Sequence, residues 1–237
     1  MTILALLAAL PLVRATYANR RTALIHALGW CWAAWVAWSL AAMDVTPFRC
    51  YLAQSLTGCA GVAVLGARRP GVVAWHFVVV GLLVVLLLPA IESVARGATV
   101  HLDAPRVAFI VVLLGTVVTN YLPTRSVAGA ISLAAGLAIG IEHYMASLVA
   151  IFLAPWLAWL GFLRQGKSPA VDARWQDFRD RFGAIWALRV REQFNAAARN
   201  SGLAIDLRWT GVRGLTNEND EAAKDLLAAL LQRFGLS

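Results

Sequence analysis

The stretch from Gly71 to Ala90, GVVAWHFVVVGLLVVLLLPA, has no acidic or basic residue in twenty positions. That length matches the roughly 17–25 apolar residues that a helix needs to cross a bilayer. Seven stretches between Thr2 and Leu163 are nearly free of charge: residues 2–13, 23–43, 51–66, 71–90, 107–122, 126–141 and 145–163. The second, fourth and seventh reach the required length outright, and the third, fifth and sixth need a residue or two from their flanks. Since a helix satisfies its own backbone inside lipid, the pattern predicts an all-α, polytopic transmembrane bundle of six or seven spans.

Composition divides the chain into two units. Hydrophobic residues make up 60% and charged residues 14%, whereas a soluble protein has about 25% charged residues. Residues 1–163 contain nine Arg, no Lys and four acidic residues, and residues 164–237 contain twelve basic and nine acidic residues. We therefore expect a transmembrane unit over 1–163 and a polar, α-rich tail over 164–237. The net charge of +8 does not indicate nucleic-acid binding, because the basic residues lie at helix ends rather than on one face.

The arginines predict the orientation. Alternate loops carry 3, 2, 1 and 2 basic residues on one side of the membrane and 1, 2 and 0 on the other. The side richer in Lys and Arg is cytoplasmic by the positive-inside rule. This places the tail in the cytoplasm. The lipid bilayer is the first predicted partner, and a bacterial inner membrane is the expected location.

The first stretch, residues 2–13, is too short to cross the membrane as an untilted helix. Twelve residues give about 18 Å of helix, and Pro11 interrupts them. A short or tilted span that continues toward Ala15 is the favoured interpretation. An interfacial helix and a cleaved signal peptide are the alternatives, although a signal peptide has basic residues before its apolar run and none is present here.

The tail has helical periodicity. Apolar residues recur every three or four positions from Val171 to Asn200, which predicts one amphipathic helix with Asp177 and Asp180 on its polar side. Residues 203–209 alternate as a short strand, which alone cannot form a sheet. A second helix is expected over about 218–234, with Asn217 as its N-cap and Gly235 as its stop. A solvated two-helix appendage stabilised by the bundle is the favoured interpretation, and docking on the bundle, on the membrane surface or on a partner protein are the alternatives.

Two sets of residues inside the spans are expected to pack rather than to react. Four tryptophans crowd the second span, and contact with neighbouring helices is favoured over a π-rich ligand cleft: Trp30, Trp32, Trp35 and Trp38. His76 and Asn120 are polar residues near the cytoplasmic ends of their spans. Hydrogen bonding near the interface is favoured over a shared binding or proton-handling site, because a polar group at membrane depth is costly unless it is paired.

The outer side holds the candidate catalytic residues. They are assigned to loops or span ends that the bundle could bring together: Cys50, Glu92, His101, Glu142 and His143. Carboxylates and imidazoles suit acid–base chemistry or metal binding, but no metal-ligand motif is present. The sequence therefore predicts no metal and no cofactor, and ordinary solvated charges are favoured.

Two sets of residues resemble those of known groups of membrane proteins. The segments 66–71, 74–77, 120–124, 175–183 and 191–195 look like those of a group of uncharacterised bacterial multi-pass membrane proteins. This resemblance implies an inner-membrane location and says nothing about activity, because that group has no assigned chemistry. Cys59, Arg106 and His143 follow the order of a thiol, an arginine and a histidine, which resembles the membrane-embedded transpeptidases called exosortases. The flanking residues do not match that family, and Cys59 falls in the middle of a span.

The expected function is non-catalytic. We expect a structural, scaffolding or binding protein that presents residues 164–237 to a cytoplasmic protein. The first alternative is a membrane-embedded enzyme that uses the outer candidate residues. The second is a facilitator that passes a small neutral solute along a path lined by tryptophans.

Overall fold

A computed structural model describes residues 2–68, 71–139, 143–163 and 169–236. Within these residues the chain is all-α apart from one hairpin. The elements are α1 (Thr2–Asn19), α2 (Ile25–Met43), α3 (Pro47–Leu65), α4 (Val72–Arg96), α5 (Ala104–Thr119), α6 (Val127–Ile139), α7 (Tyr144–Leu163), α8 (Ala170–Asn200), β1 (Asp206–Leu207), β2 (Val212–Arg213) and α9 (Asp220–Leu231), followed by a 3₁₀ turn (Gln232–Phe234).

Three helices are long and apolar enough to cross a membrane: Ile25–Met43, Val73–Arg96 and Tyr144–Leu163. They are the second, fourth and seventh predicted spans, which met the length outright. The other four fall short as observed: α1, α5 and α6 are shorter apolar helices, and α3 has 19 residues but is not apolar enough. A bundle of six or seven spans is therefore not confirmed, because only three helices of the described residues are both long and apolar enough.

The apolar helices leave large side chains uncovered. Phe77 on α4 is 78% exposed, Val112 on α5 is 68% exposed and Ile3 on α1 is 75% exposed. A protein in water rarely exposes apolar surface over several helices at once. These faces fit contact with lipid, which is compatible with a membrane protein.

The tryptophans of α2 join neighbouring helices. Trp32 Nε1 donates to Thr16 Oγ1 and Trp35 Nε1 donates to the Ala5 carbonyl, both on α1 and both at 3.0 Å. Trp38 Nε1 donates to Thr57 Oγ1 on α3 at 3.0 Å. Trp30 Nε1 donates to His76 Nδ1 on α4 at 3.4 Å. Each indole N–H is thus used in packing, as the sequence analysis favoured.

The tail folds around an aromatic core. The fully buried rings of Trp175, Phe178 and Phe182 on α8 pack together, and Phe234 at the chain's end meets Phe178 and Phe182 edge to face. The apolar positions that predicted an amphipathic helix are therefore the ones that form this core. The second helix, α9, begins later than expected, with Asn219 rather than Asn217 as its N-cap, and Gly235 ends the last turn in the left-handed conformation as predicted.

Two expectations about the tail are wrong. The short strand does form a sheet, because β2 pairs with β1 in an antiparallel hairpin with Asp206 opposite Arg213. In addition, α8 is not one continuous helix. Gly183 has φ 81° and ψ −179°, which interrupts the helical path, and only glycine adopts this backbone region readily.

Candidate functional site

A polar cluster that includes the candidate residue Glu92 lies where α4 ends and α5 begins. Glu92 occupies the last turns of α4, and both of its carboxylate oxygens accept from the Arg106 guanidinium at 3.1 and 3.0 Å. Asp103 is the N-cap of α5 and accepts from the Arg106 N–H at 3.0 Å. Arg96 adds a longer contact to Glu92 at 3.9 Å. A bidentate pair of this kind fixes two helix ends against each other.

A cavity of about 370 Å³ adjoins this cluster and is lined by Glu92 and His101 among others. The structure thus brings these two candidate residues to one place. However, the Glu92 carboxylate already accepts two guanidinium hydrogen bonds, which stabilise its charged form and make it a weak base. The arrangement suits charge pairing better than proton transfer.

The remaining candidates lie elsewhere. The Cys50 thiol is beside the Tyr144 hydroxyl, which also hydrogen-bonds to the Ala41 carbonyl. His143 is exposed directly before α7, and Glu142 lies outside the described residues. Over the described ranges no group of three His, Cys, Asp or Glu side chains is arranged to hold a metal ion.

The residues of the exosortase resemblance have separate surroundings. Cys59 is fully buried in α3, with its sulfur 3.9 Å from the Val79 carbonyl. Arg106 is bound to Glu92, and His143 is exposed. These contacts give that resemblance no support.

A second site, which sequence reasoning missed, lies where the tail meets the bundle. Its centre is Asp180, a residue with 1% exposure that the sequence analysis placed on the polar side of α8. Asp180 Oδ1 accepts from Arg179 Nε at 2.8 Å and from the Arg125 backbone N–H at 3.2 Å. Asp180 Oδ2 lies 3.4 Å from Arg125 Nε. Because Arg125 belongs to the connection between α5 and α6, the carboxylate joins the tail to the bundle.

Asn120 fills the interruption of α8 at Gly183. Its backbone carbonyl accepts from the Ala184 N–H at 2.7 Å, and its Oδ1 accepts from the Ile185 N–H at 3.0 Å. These are the first N–H groups of the second half of α8, which lack partners within their own helix. Asn120 therefore acts as an N-cap supplied by a different helix.

Asn120 and His76 do not form the shared site considered above. Asn120 is bound to the tail, whereas His76 accepts from Trp30 and packs edge to face on His26, with ring centroids 4.8 Å apart. The favoured interpretation, hydrogen bonding near a helix end, is correct for both residues.

Further contacts surround the Asp180 carboxylate and complete the junction. Arg179 Nη1 donates to the Trp209 carbonyl at 2.7 Å, and Trp209 Nε1 donates to the Pro123 carbonyl at 2.9 Å. Trp186 Nε1 donates to the Val64 carbonyl at the end of α3 at 3.2 Å. The Ala23 N–H before α2 donates to the Phe234 carbonyl at 3.0 Å. The tail thus contacts the ends of α2, α3 and α5 and the connection between α5 and α6, and docking on the bundle is the alternative that the structure supports.

The sequence carried two signals for this junction. Asn120 was singled out as a polar residue at the end of a span, whereas Asp180 looked like one more charge on a solvated face. Gly183, inside a helical pattern, was a second possible signal because glycine in a helix interior costs about 1 kcal/mol relative to alanine.

Comparison of the chain with models of protein families, with curated proteins and with solved structures finds no match. The resemblance to multi-pass bacterial proteins therefore stays a prediction. The features that bear on function are the polar cluster around Glu92, the junction around Asp180 and the three apolar helices.

Proposed function

We propose that this protein is a polytopic protein of the bacterial inner membrane, with six or seven spans, and that it acts as a non-catalytic scaffold or binding protein. The observation that carries this proposal is the docked tail. Asp180 and Asn120 hold it against the ends of the bundle through buried contacts, so that it is held at a fixed position on the bundle. A fixed soluble unit is what a membrane-bound docking platform needs.

The cytoplasmic location of the tail is supported by the distribution of arginine over the loops. A fluorescent protein fused after Ser237 should fluoresce, because green fluorescent protein does not mature after export through the general secretory route. An alkaline phosphatase fused at the same position should be inactive. Active phosphatase together with a dark fluorescent fusion would overturn the orientation, and release of the chain by alkaline carbonate would overturn membrane insertion.

The scaffold role is tested with the whole chain and a matched variant. Cross-linking in cells, followed by purification in detergent, should recover a reproducible set of proteins with the wild type. Asp180→Ala, which loosens the tail, should lose that set, and Glu92→Gln at the other end should keep it. Recovery of the same set with both variants would overturn the proposal.

One observation favours an enzyme as the competing function. Glu92 and His101 line the same cavity of about 370 Å³. An enzyme predicts that His101→Ala fails to complement a deletion strain although the protein inserts at the normal level. The scaffold predicts full complementation by His101→Ala and none by the chain without residues 164–237.

A further inference from the structure

A cavity of about 330 Å³ lies between the tail-side ends of α1 and α7 and the first half of α8. Its lining changes from apolar at one end to basic at the other. Pro11 on α1 and Pro155 on α7 line it toward the centre of the bundle, and Arg14, Trp159 and Arg181 line it toward the tail. An apolar cleft that ends in basic groups is complementary to an anionic lipid, which has an apolar tail and a charged headgroup.

The polar end contains two groups that lack ordinary partners. The Trp159 indole N–H is buried and has no hydrogen-bond partner within the described ranges. The Arg14 guanidinium lies 5.1 Å from the centroid of the Trp159 ring, and no ion pair is observed for it in the described part of the chain. A buried donor without an acceptor is destabilising, so an acceptor oxygen bound at this end would stabilise the Trp159 N–H, and a negative charge on it would suit the nearby Arg14.

The other charged groups of the cavity already have partners. Arg181 Nε donates to Asp177 Oδ1 at 2.8 Å, and Arg181 Nη1 donates to Asn19 Oδ1 at 3.3 Å. Asp177 is the acidic residue among those lining the cavity, against Arg14 and Arg181. Burial raises the pKa of Asp177, although Arg181 opposes this. The cavity therefore carries an excess of positive charge centred on Arg14.

Beside the apolar end, α1 exposes apolar side chains to the surroundings of the bundle. Leu10 and Val13, which flank this part of α1, are 55% and 52% exposed. A proline inside a helix removes one backbone hydrogen bond and bends the axis, and here both helices that bound the cleft carry one. The space between these two helices forms part of the cavity of about 330 Å³.

We propose that this cavity binds an anionic phospholipid of the leaflet next to the tail. Its phosphate oxygens accept from Arg14 and from Trp159 Nε1, and an acyl chain lies along Pro11 and Pro155. Basic pockets between membrane helices bind anionic headgroups in this way. The proposal rests on the membrane insertion proposed above. Since Asp177 and Arg181 belong to α8, such a lipid would also contact the tail.

The experiment compares three variants of the full chain in detergent that contains no charged lipid. Trp159→Phe removes the N–H and keeps the ring, and Arg14→Gln removes the charge. Arg20→Gln is the matched control, because Arg20 stacks on Tyr17 at the same end of α1 and does not line the cavity. Lipid binding is measured by native mass spectrometry and by the rise in melting temperature on titration.

Phosphatidylglycerol should bind and stabilise the wild type, whereas phosphatidylcholine and sn-glycerol 3-phosphate should not. Loss of one hydrogen bond to a charged group weakens binding by about tenfold, and we expect this for Trp159→Phe and for Arg14→Gln. Arg20→Gln should change the affinity less than about twofold. In free energy this is much smaller than the loss of one such hydrogen bond.

Three results would overturn the lipid site. They are equal affinity of all variants for phosphatidylglycerol, equal binding of phosphatidylcholine, or equal binding of the free glycerol phosphate. If Arg14→Gln does not fold, Arg14→Lys replaces it and should keep most of the affinity. Failure of membrane insertion would appear separately, as release of the chain by alkaline carbonate, and would count against the proposed function.

Discussion

The two ends of the bundle each hold an acidic residue bound to arginine, but in opposite surroundings. At the end where α4 leads into α5, the side chains of Glu92 and Arg106 are 37% and 35% exposed. At the tail-side end those of Asp180 and Arg179 are 0% and 8% exposed. Water screens the first pair and is excluded from the second. The same chemistry is therefore expected to contribute little at one end and to control docking at the other.

The two ends also differ in how completely their charged groups are paired. The Glu92 carboxylate is occupied by Arg106 and lies beside an open cavity. Asp180 has one oxygen with hydrogen bonds and one without, and Arg125 Nη1 is likewise unpaired among the described residues. A buried polar network with unpaired groups is sensitive to substitution, so the loss of one further hydrogen bond should weaken the junction.

The largest expected effect is that of Asp180→Ala. Removal of the carboxylate leaves the buried Arg179 charge without its partner, and breaking a buried pair costs about 3–5 kcal/mol. Hydrogen exchange of the α8 amides in detergent should speed up accordingly. Asp180→Asn keeps Oδ1 as an acceptor and should have a smaller effect. Unchanged protection in Asp180→Ala would show that the tail is held by its aromatic contacts instead.

Gly183→Ala should have the next largest effect. Its φ of +81° is strained for any other residue, and a Cβ there would lie 2.2 Å from Asn120 Nδ2. The expected cost is about 1–3 kcal/mol, measured as a lower melting temperature of the docked tail. Gly29→Ala on α2 is the control, because its Cβ would meet nothing within 4 Å. A loss of equal size at both positions would contradict the docking geometry.

Asn120→Ala tests the cap by itself. It removes the acceptor of the Ile185 N–H but keeps the backbone carbonyl bound to Ala184. Loss of an N-cap side chain costs about 0.5–2 kcal/mol. Exchange of the Ile185 amide should accelerate more than exchange near the end of α8. Asn120→Asp retains an acceptor and should protect this amide, and exposure of the amide in Asn120→Asp would speak against capping.

Glu92→Gln should have the smallest effect. The pair with Arg106 is solvent-exposed, and exposed ion pairs contribute little to stability. We expect no measurable change in the melting temperature or in exchange of the tail. A loss as large as that of Asp180→Ala would remove the contrast between the two ends.

The sequence predicts the positions of the helices better than it predicts which residues of different helices meet. The second, fourth and seventh apolar stretches were long enough to be recognised, and the amphipathic period of residues 171–200 located the aromatic core. Both signals are periodic and local. Asp180 gave no such signal, because a charged residue between Arg179 and Arg181 looks solvated in the sequence and is buried only by the connection between α5 and α6.

The amino-acid sequence by itself determined where apolar helices form, because a helix satisfies the backbone hydrogen bonds of an uncharged run within the run itself. It also determined that the last third of the chain is polar. Only the tertiary structure decided that Asn120 caps α8, that Gly183 makes room for it and that Asp180 is buried. Those contacts join residues about sixty positions apart, and no local pattern specifies which distant groups meet.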